Sequence, residues 1–116
     1  MNYALYQALF DLIEEGPENL HARHVAVHRY LISELETLGL RMFVKEGSRL
    51  PMLNSVVCPA GVDEAAVRKK LLDEYHIEIG AGLGPLAGKI WRIGLMGYSA
   101  RTENVDEFIS ALRKLL

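Results

Sequence analysis

Cysteine is the scarcest residue in the 116-residue sequence, beside a single tryptophan: Cys58 stands alone and cannot close an internal disulfide. A disulfide-stapled secreted scaffold is therefore excluded. Positive charge is also short, with a formal net charge of -2 and no basic run longer than Arg68-Lys69-Lys70. A surface that must neutralise nucleic-acid phosphates needs more, so nucleic acid is not an expected partner. Apolar runs never approach the roughly 18 to 20 residues of a membrane span, which removes the membrane as a partner. The N-terminal stretch MNYALYQALFDLIEEG has neither a positive leading region nor a small-residue cleavage site, and Lys114-Leu115-Leu116 is not the peroxisomal Ser-Lys-Leu address. The expected location is the cytosol.

What is present is 50% hydrophobic and 24% charged, the makeup of one ordinary globular domain over residues 1–116. Leu5, Ala8, Leu9, Leu12 and Ile13 recur at helical spacing from Asn2 to Glu15, and Gly16-Pro17 stops them. Pro17 opens a second helix with Leu20, Val27, Leu31, Leu35 and Leu38 on one side, closed at Gly39. Leu40 to Val44 and Leu53 to Cys58 read as strands about a polar turn. Asp63 is an N-cap for a third helix, with Val62 and Val67 as a hydrophobic staple and Leu71, Leu72 and Tyr75 continuing its face. His76 to Ile79 and Lys89 to Ile93 follow as strands, and Val105, Phe108, Ile109, Leu112 and Leu115 form a last amphipathic helix entered near Thr102 or Asn104. The order ααββαββα predicts an α+β fold, with helices on one face of a small, mainly antiparallel sheet. Met1 opens almost directly into a helix, so a cut is expected at that end.

Several residues invite chemistry. His21, His24 and His28 share a helix face, and the last two have the i, i+4 spacing of helical zinc sites. No glutamate sits between them as in H-E-x-x-H and no third ligand has suitable spacing, so with Arg23 and Arg29 beside them they read as a solvated basic face and no metal is expected. The run Gly82 to Ile90, GLGPLAGKI, meets neither phosphate motif: five residues rather than four separate Gly82 from Gly88, Ile90 rather than a hydroxyl residue follows Lys89, and the run enters a strand where a dinucleotide motif opens a helix. Lys89 reads as exposed at a strand entrance and Cys58 as a small buried hydrophobe. Arg92 is different. Trp91, Ile93 and Leu95 point to one face of the strand and Ile90, Arg92 and Gly94 to the other, so the guanidinium shares its face with a residue lacking a side chain. Such a planar fork binds a carboxylate ligand or an internal acidic residue, and the pattern leaves both open.

The stretch IEIGAGLGPLAGKIWRIGLMGYSARTENVDEFISALR resembles the C-terminal part of class V, pyridoxal-phosphate-dependent aminotransferases of the alanine–glyoxylate or serine–pyruvate type. That family reads G-x-L-G-P, then G-K, then a strand R-I-G-x-x-G and a helix opening near T-x-E-N-V. RLPMLNSVVCPAGVD, GLRMFVKEGSRLP and EEGPENLHARH extend the similarity over the whole chain, and the desulfurase and phosphoserine branches fit the glycine run less well. The resemblance implies that Arg92 clamps the carboxylate of an amino-acid or 2-oxo-acid substrate such as alanine, serine, glyoxylate or pyruvate. It implies that Gly82, Gly84 and Pro85 shape the cleft wall, and that residues 1–16 belong to the helix joining two domains of a homodimeric enzyme. The family's Schiff-base lysine and its other cofactor-holding residues lie in a large domain with no counterpart here. The chain is thus expected to be a fragment that holds no pyridoxal phosphate, carries no catalytic residue and does not transaminate alone. A stand-alone anion-binding or interaction module is the rival expectation.

Overall fold

The computed structural model describes residues 2–116. Its order is α1 (Asn2–Glu15), α2 (Pro17–Thr37), β1 (Arg41–Met42), β2 (Leu53–Val57), α3 (Glu64–Tyr75), β3 (Gly80–Ala81), β4 (Ile90–Gly94) and α4 (Thr102–Leu115), with 3-10 turns at Gly84–Leu86 and Gly97–Ser99. The four strands form one antiparallel sheet in the order β1-β2-β4-β3. This is the α+β arrangement that the ααββαββα pattern predicts.

Helix ends follow local chemistry. Asp63 accepts a hydrogen bond from the Ala66 N–H at 3.2 Å, satisfying one orphan donor of the first turn of α3. Pro17 fills the first turn of α2, and Gly16 turns the chain at φ +87° between α1 and α2. One face of the sheet contributes Met42, Val56, Trp91 and Ile93 to a core completed by Val27, Leu31 and Leu35 of α2, Val67 and Leu71 of α3, and Val105, Phe108 and Leu112 of α4. The period of two on the strands and the i, i+3, i+4 stripe on the helices meet in that layer.

Two expectations are corrected. The third strand is Gly80–Ala81, not His76 to Ile79. His76 takes the left-handed conformation at φ 56° that ends α3, and the Ile77 N–H returns to the Leu71 carbonyl at 3.0 Å. Ile77 and Ile79 alternate like strand residues because both pack on the core, but they do so beside the helix end rather than in the ladder. The other correction concerns the histidines: His21 is exposed, whereas His24 and His28 are buried.

Helix α1 stands apart. None of its residues is buried, and Tyr3, Tyr6, Leu9, Phe10 and Ile13 are exposed.

Candidate functional site

Strand β4 carries Arg92 on the face opposite the core, as its alternation requires. The register sets Arg92 between Ser55 of β2 and Gly80 of β3, with Gly94 and Leu53 paired two residues along. Arg92 Nε donates to the Ala81 carbonyl at 2.6 Å, which leans the side chain over β3. A Cβ at Gly80 would sit 3.3 Å from an Arg92 terminal nitrogen, so glycine there leaves the guanidinium its place. Among the described residues, no carboxylate forms an ion pair with Arg92. Of the two readings of this fork, the internal salt bridge is absent among the described residues.

The glycine run folds back tightly beside β4. A Cβ on Gly82 would fall 2.1 Å from the Leu86 carbonyl oxygen and 2.9 Å from the Ile90 side chain, so only glycine allows the chain to turn back so tightly. The Gly82 N–H bonds the Ile90 carbonyl at 3.2 Å, and the Lys89 N–H bonds the Leu86 carbonyl at 3.0 Å. Ile90 is buried under this loop although it lies outside the core cluster. Gly82 is thus packed inside the turn, whereas Gly84 and Pro85 are exposed on its outer curve. Two clefts, of about 460 and 530 Å³, lie elsewhere, and neither is lined by Arg92.

A second polar assembly lies under α2, and reading the sequence alone missed it. His24 Nδ1 meets the Leu20 carbonyl at 2.8 Å, and its Nε2 accepts the Gly97 N–H at 3.1 Å. Arg23 Nη1 donates to the carbonyls of Gly97 at 2.8 Å and Ala100 at 2.6 Å, while its Nε and Nη2 hold Glu15 at 2.5 and 3.0 Å. That hydrogen-bonded pairing holds the Glu15 carboxyl below its ordinary range. His28 Nδ1 meets Asn54 Oδ1 at 2.7 Å, and Asn54 Nδ2 donates to the Ile93 and Pro51 carbonyls at 3.4 Å each. The signal was legible in principle, because His24 and His28 fall on the same stripe as Val27, Leu31 and Leu35.

The remaining candidates are inert. Lys89 is exposed, and Cys58 packs against the core, where burial pushes its thiol up to about 11 with the nearby Glu64 charge adding to the effect. Among the described residues, no three His, Cys, Asp or Glu side chains are grouped to hold a metal, and no helix is long and apolar enough to cross a membrane.

No known family model matches the chain. Individual relatives do: it is 41% identical over 116 residues to the (S)-ureidoglycine–glyoxylate transaminase of Bacillus subtilis, covering 100% of this chain and 28% of that protein. It is 44% identical over 115 residues to the alanine–glyoxylate aminotransferase of Felis catus, covering 98% and 28%. The crystal structure of an alanine–glyoxylate aminotransferase from Nostoc sp. superposes with a TM-score of 0.95 at 48% identity, covering 97% of this chain and 30% of that one. The chain spans under a third of the length of these relatives. In sequence and in fold it corresponds to the C-terminal small domain of class V aminotransferases of the alanine–glyoxylate type.

Proposed function

We propose that this chain is the substrate-gripping small domain of a pyridoxal-phosphate-dependent transaminase that moves an amino group from a small amino acid, such as alanine or serine, to a 2-oxo acid such as glyoxylate or pyruvate. The carrying observation is Arg92: a half-buried guanidinium on an open sheet face, anchored through Nε to a backbone carbonyl and paired with no carboxylate among the described residues. An anchored planar fork keeps two parallel donors for a substrate carboxylate at little further loss of freedom, and such charge-assisted bonds contribute about 1.5–3 kcal/mol. Gly80 and Ser55 flank it with little bulk, Gly82 closes the loop over Ile90, and Gly84 and Pro85 form the rim.

The residues described here do not form a cradle for the cofactor. All five lysines are exposed, so none is a desolvated amine of the kind that forms a Schiff base with an aldehyde. Bound pyridoxal phosphate supplies an electron sink for bonds at the amino acid's Cα. In this reading the group is held by the rest of the whole protein, with a second copy completing a homodimer. This chain's part is orientation: a clamped carboxylate fixes which Cα bond is presented for reaction.

The test is Arg92→Lys in the whole protein, assayed with small carboxylated donors and glyoxylate or pyruvate. A lysine keeps the charge but loses the fork. KM for the amino acid is expected to rise and kcat/KM to fall at least about tenfold, equivalent to about 1.4 kcal/mol. Unchanged kinetics remove Arg92 from the site, and no transamination by the wild-type whole protein with any such pair removes the reading.

A further inference from the structure

The backbone of β4 alternates between its two neighbours. The Cys58 N–H bonds the Lys89 carbonyl at 2.9 Å and the Leu95 N–H bonds the Met52 carbonyl at 2.8 Å, so the odd-numbered residues along β4 turn their backbone groups to β2. Even-numbered residues turn theirs the other way: the Ile90 carbonyl accepts from the Gly82 N–H at 3.2 Å, and Arg92 is paired with Gly80. Gly94 is next in that series, and its partner by register would be Glu78. That pairing does not form. His76 ends α3 at φ 56° and the Ile77 N–H returns to the Leu71 carbonyl at 3.0 Å, which keeps the chain at the helix end until β3 begins at Gly80. Among the described residues, no hydrogen bond reaches the Gly94 N–H or carbonyl from that side. Gly94 is exposed, so it offers a donor and an acceptor together to an extended backbone laid alongside.

Where β3 and β4 part, the cleft of about 460 Å³ opens beside Gly94. Its floor is apolar, made by Leu31, Ile93, Val105 and Phe108 of the core, with Ile77 and Ile79 along one side. Two exposed carboxylates, Glu78 and Glu107, also line it, whereas among the described residues no lysine or arginine does. Glu103, one turn before Glu107 on α4, extends the negative strip.

These features specify an occupant. A strand residue paired with Gly94 carries its own side chain on the open face, beside a glycine that has none. The residues before and after it point the other way, to the core side where the cleft lies. Both flanking side chains should therefore be apolar, and positive charge beyond them complements Glu78 and Glu107. The added strand is short, because Met96 is closed by its own turn: its N–H faces the Ser99 hydroxyl at 3.3 Å and its carbonyl accepts from that hydroxyl at 2.7 Å.

We propose that the fork between β3 and β4 is a docking site for a short extended peptide of a partner protein, reading basic, apolar, any residue, apolar, basic, whose central residue pairs with Gly94. The proposal does not depend on what Arg92 binds.

A blocked, fluorescently labelled pentapeptide, Lys-Leu-Thr-Leu-Lys, tests it on the 116-residue chain, with binding read by anisotropy and its place by the Gly94 amide resonance. Saturable binding and a downfield-moving Gly94 amide are expected. N-methylation of the threonine amide removes the donor to the Gly94 carbonyl and keeps every side chain. It should weaken binding about five- to tenfold, the effect of losing one neutral hydrogen bond. Gly94→Pro removes the donor on the protein's side. That N–H takes no part in the ladder with β2, and an added Cβ meets only the end of the Met96 side chain at 3.5 Å, so the fold should stand and a similar loss should appear. The peptide Glu-Leu-Thr-Leu-Glu, or the double variant Glu78→Lys with Glu107→Lys, should lower affinity at least about tenfold at low salt. No saturable binding overturns the proposal, as does binding that N-methylation and Gly94→Pro both leave unchanged, which makes the cleft a plain apolar pocket. Equal affinity for the acidic peptide overturns it too. A Gly94 amide that moves with protein concentration in the absence of peptide gives the edge to a second copy and overturns it as well. If Gly94→Pro does not fold, the N-methylated peptide decides alone.

Discussion

At the scale of single residues, the two positions that matter most are an arginine and a glycine whose roles follow from what stands next to them. Gly82 makes the sharpest prediction. A methyl group there would meet the Leu86 carbonyl at 2.1 Å and the Ile90 side chain at 2.9 Å, and backbone cannot rotate aside as a side chain does. Gly82→Ala is expected to destabilise the chain by about 1–3 kcal/mol, the range for overpacking a closed site, read as a lower denaturation midpoint. Gly47→Ala is the control: no atom lies within 4 Å of its added Cβ, so the cost is conformational, from its φ of +91°. The outward placement of Arg92 was legible because strand alternation is a local rule, and its neighbours Trp91 and Ile93 announce which face is inward. For His24 and His28 the stripe shared with Val27 and Leu31 hinted at burial but not at partners, because an imidazole suits both water and core and their bonds come from Gly97 and Asn54, which are 73 and 26 positions away. The bond that anchors Arg92 has the same character, since Ala81 enters only once β3 pairs with β4.

At the scale of elements, the helices could be read to within a residue or two because each carries its own stop: Gly16 and Pro17 between α1 and α2, Asp63 before α3. Strands could be read less well, because β3 begins at Gly80, a residue that β propensity disfavours, and is a strand only through its pairing with β4. How α1 is angled against α2 is a further matter, and the Arg23–Glu15 pair ties the two across the joint. Arg23 lowers the Glu15 pKa from its ordinary 4.5. A carboxylate with a lowered folded-state pKa contributes fully above its ordinary value, and the contribution disappears as pH falls through the lowered one. Probes on α1 and α2 should therefore report a fixed distance above about pH 4.5 and a broadened one in stronger acid. In Arg23→Gln the distance should be broad throughout. A distance that stays sharp in acid shows that Gly16 and Pro17 alone hold the angle.

At the scale of the whole molecule, the question is what covers α1. The helix presents Tyr3, Tyr6, Leu9, Phe10 and Ile13 to solvent and buries none of its residues, while α2, α3 and α4 all donate a stripe to the core. A continuous apolar helix in water is unfavourable by about 25 cal/mol for each Å² that could be covered. A freely monomeric module has no use for such a surface, whereas a domain that continues into a larger body has. The prediction is that the 116-residue chain binds a dye sensitive to apolar surface and sediments as a concentration-dependent mixture. Replacing Leu9 and Phe10 together by glutamate should remove both effects while leaving the denaturation midpoint nearly unchanged, because neither side chain belongs to the core. A clean monomer without dye binding in the unmodified chain would favour the stand-alone module over the small-domain reading, since α1 would then have proved indifferent to being covered.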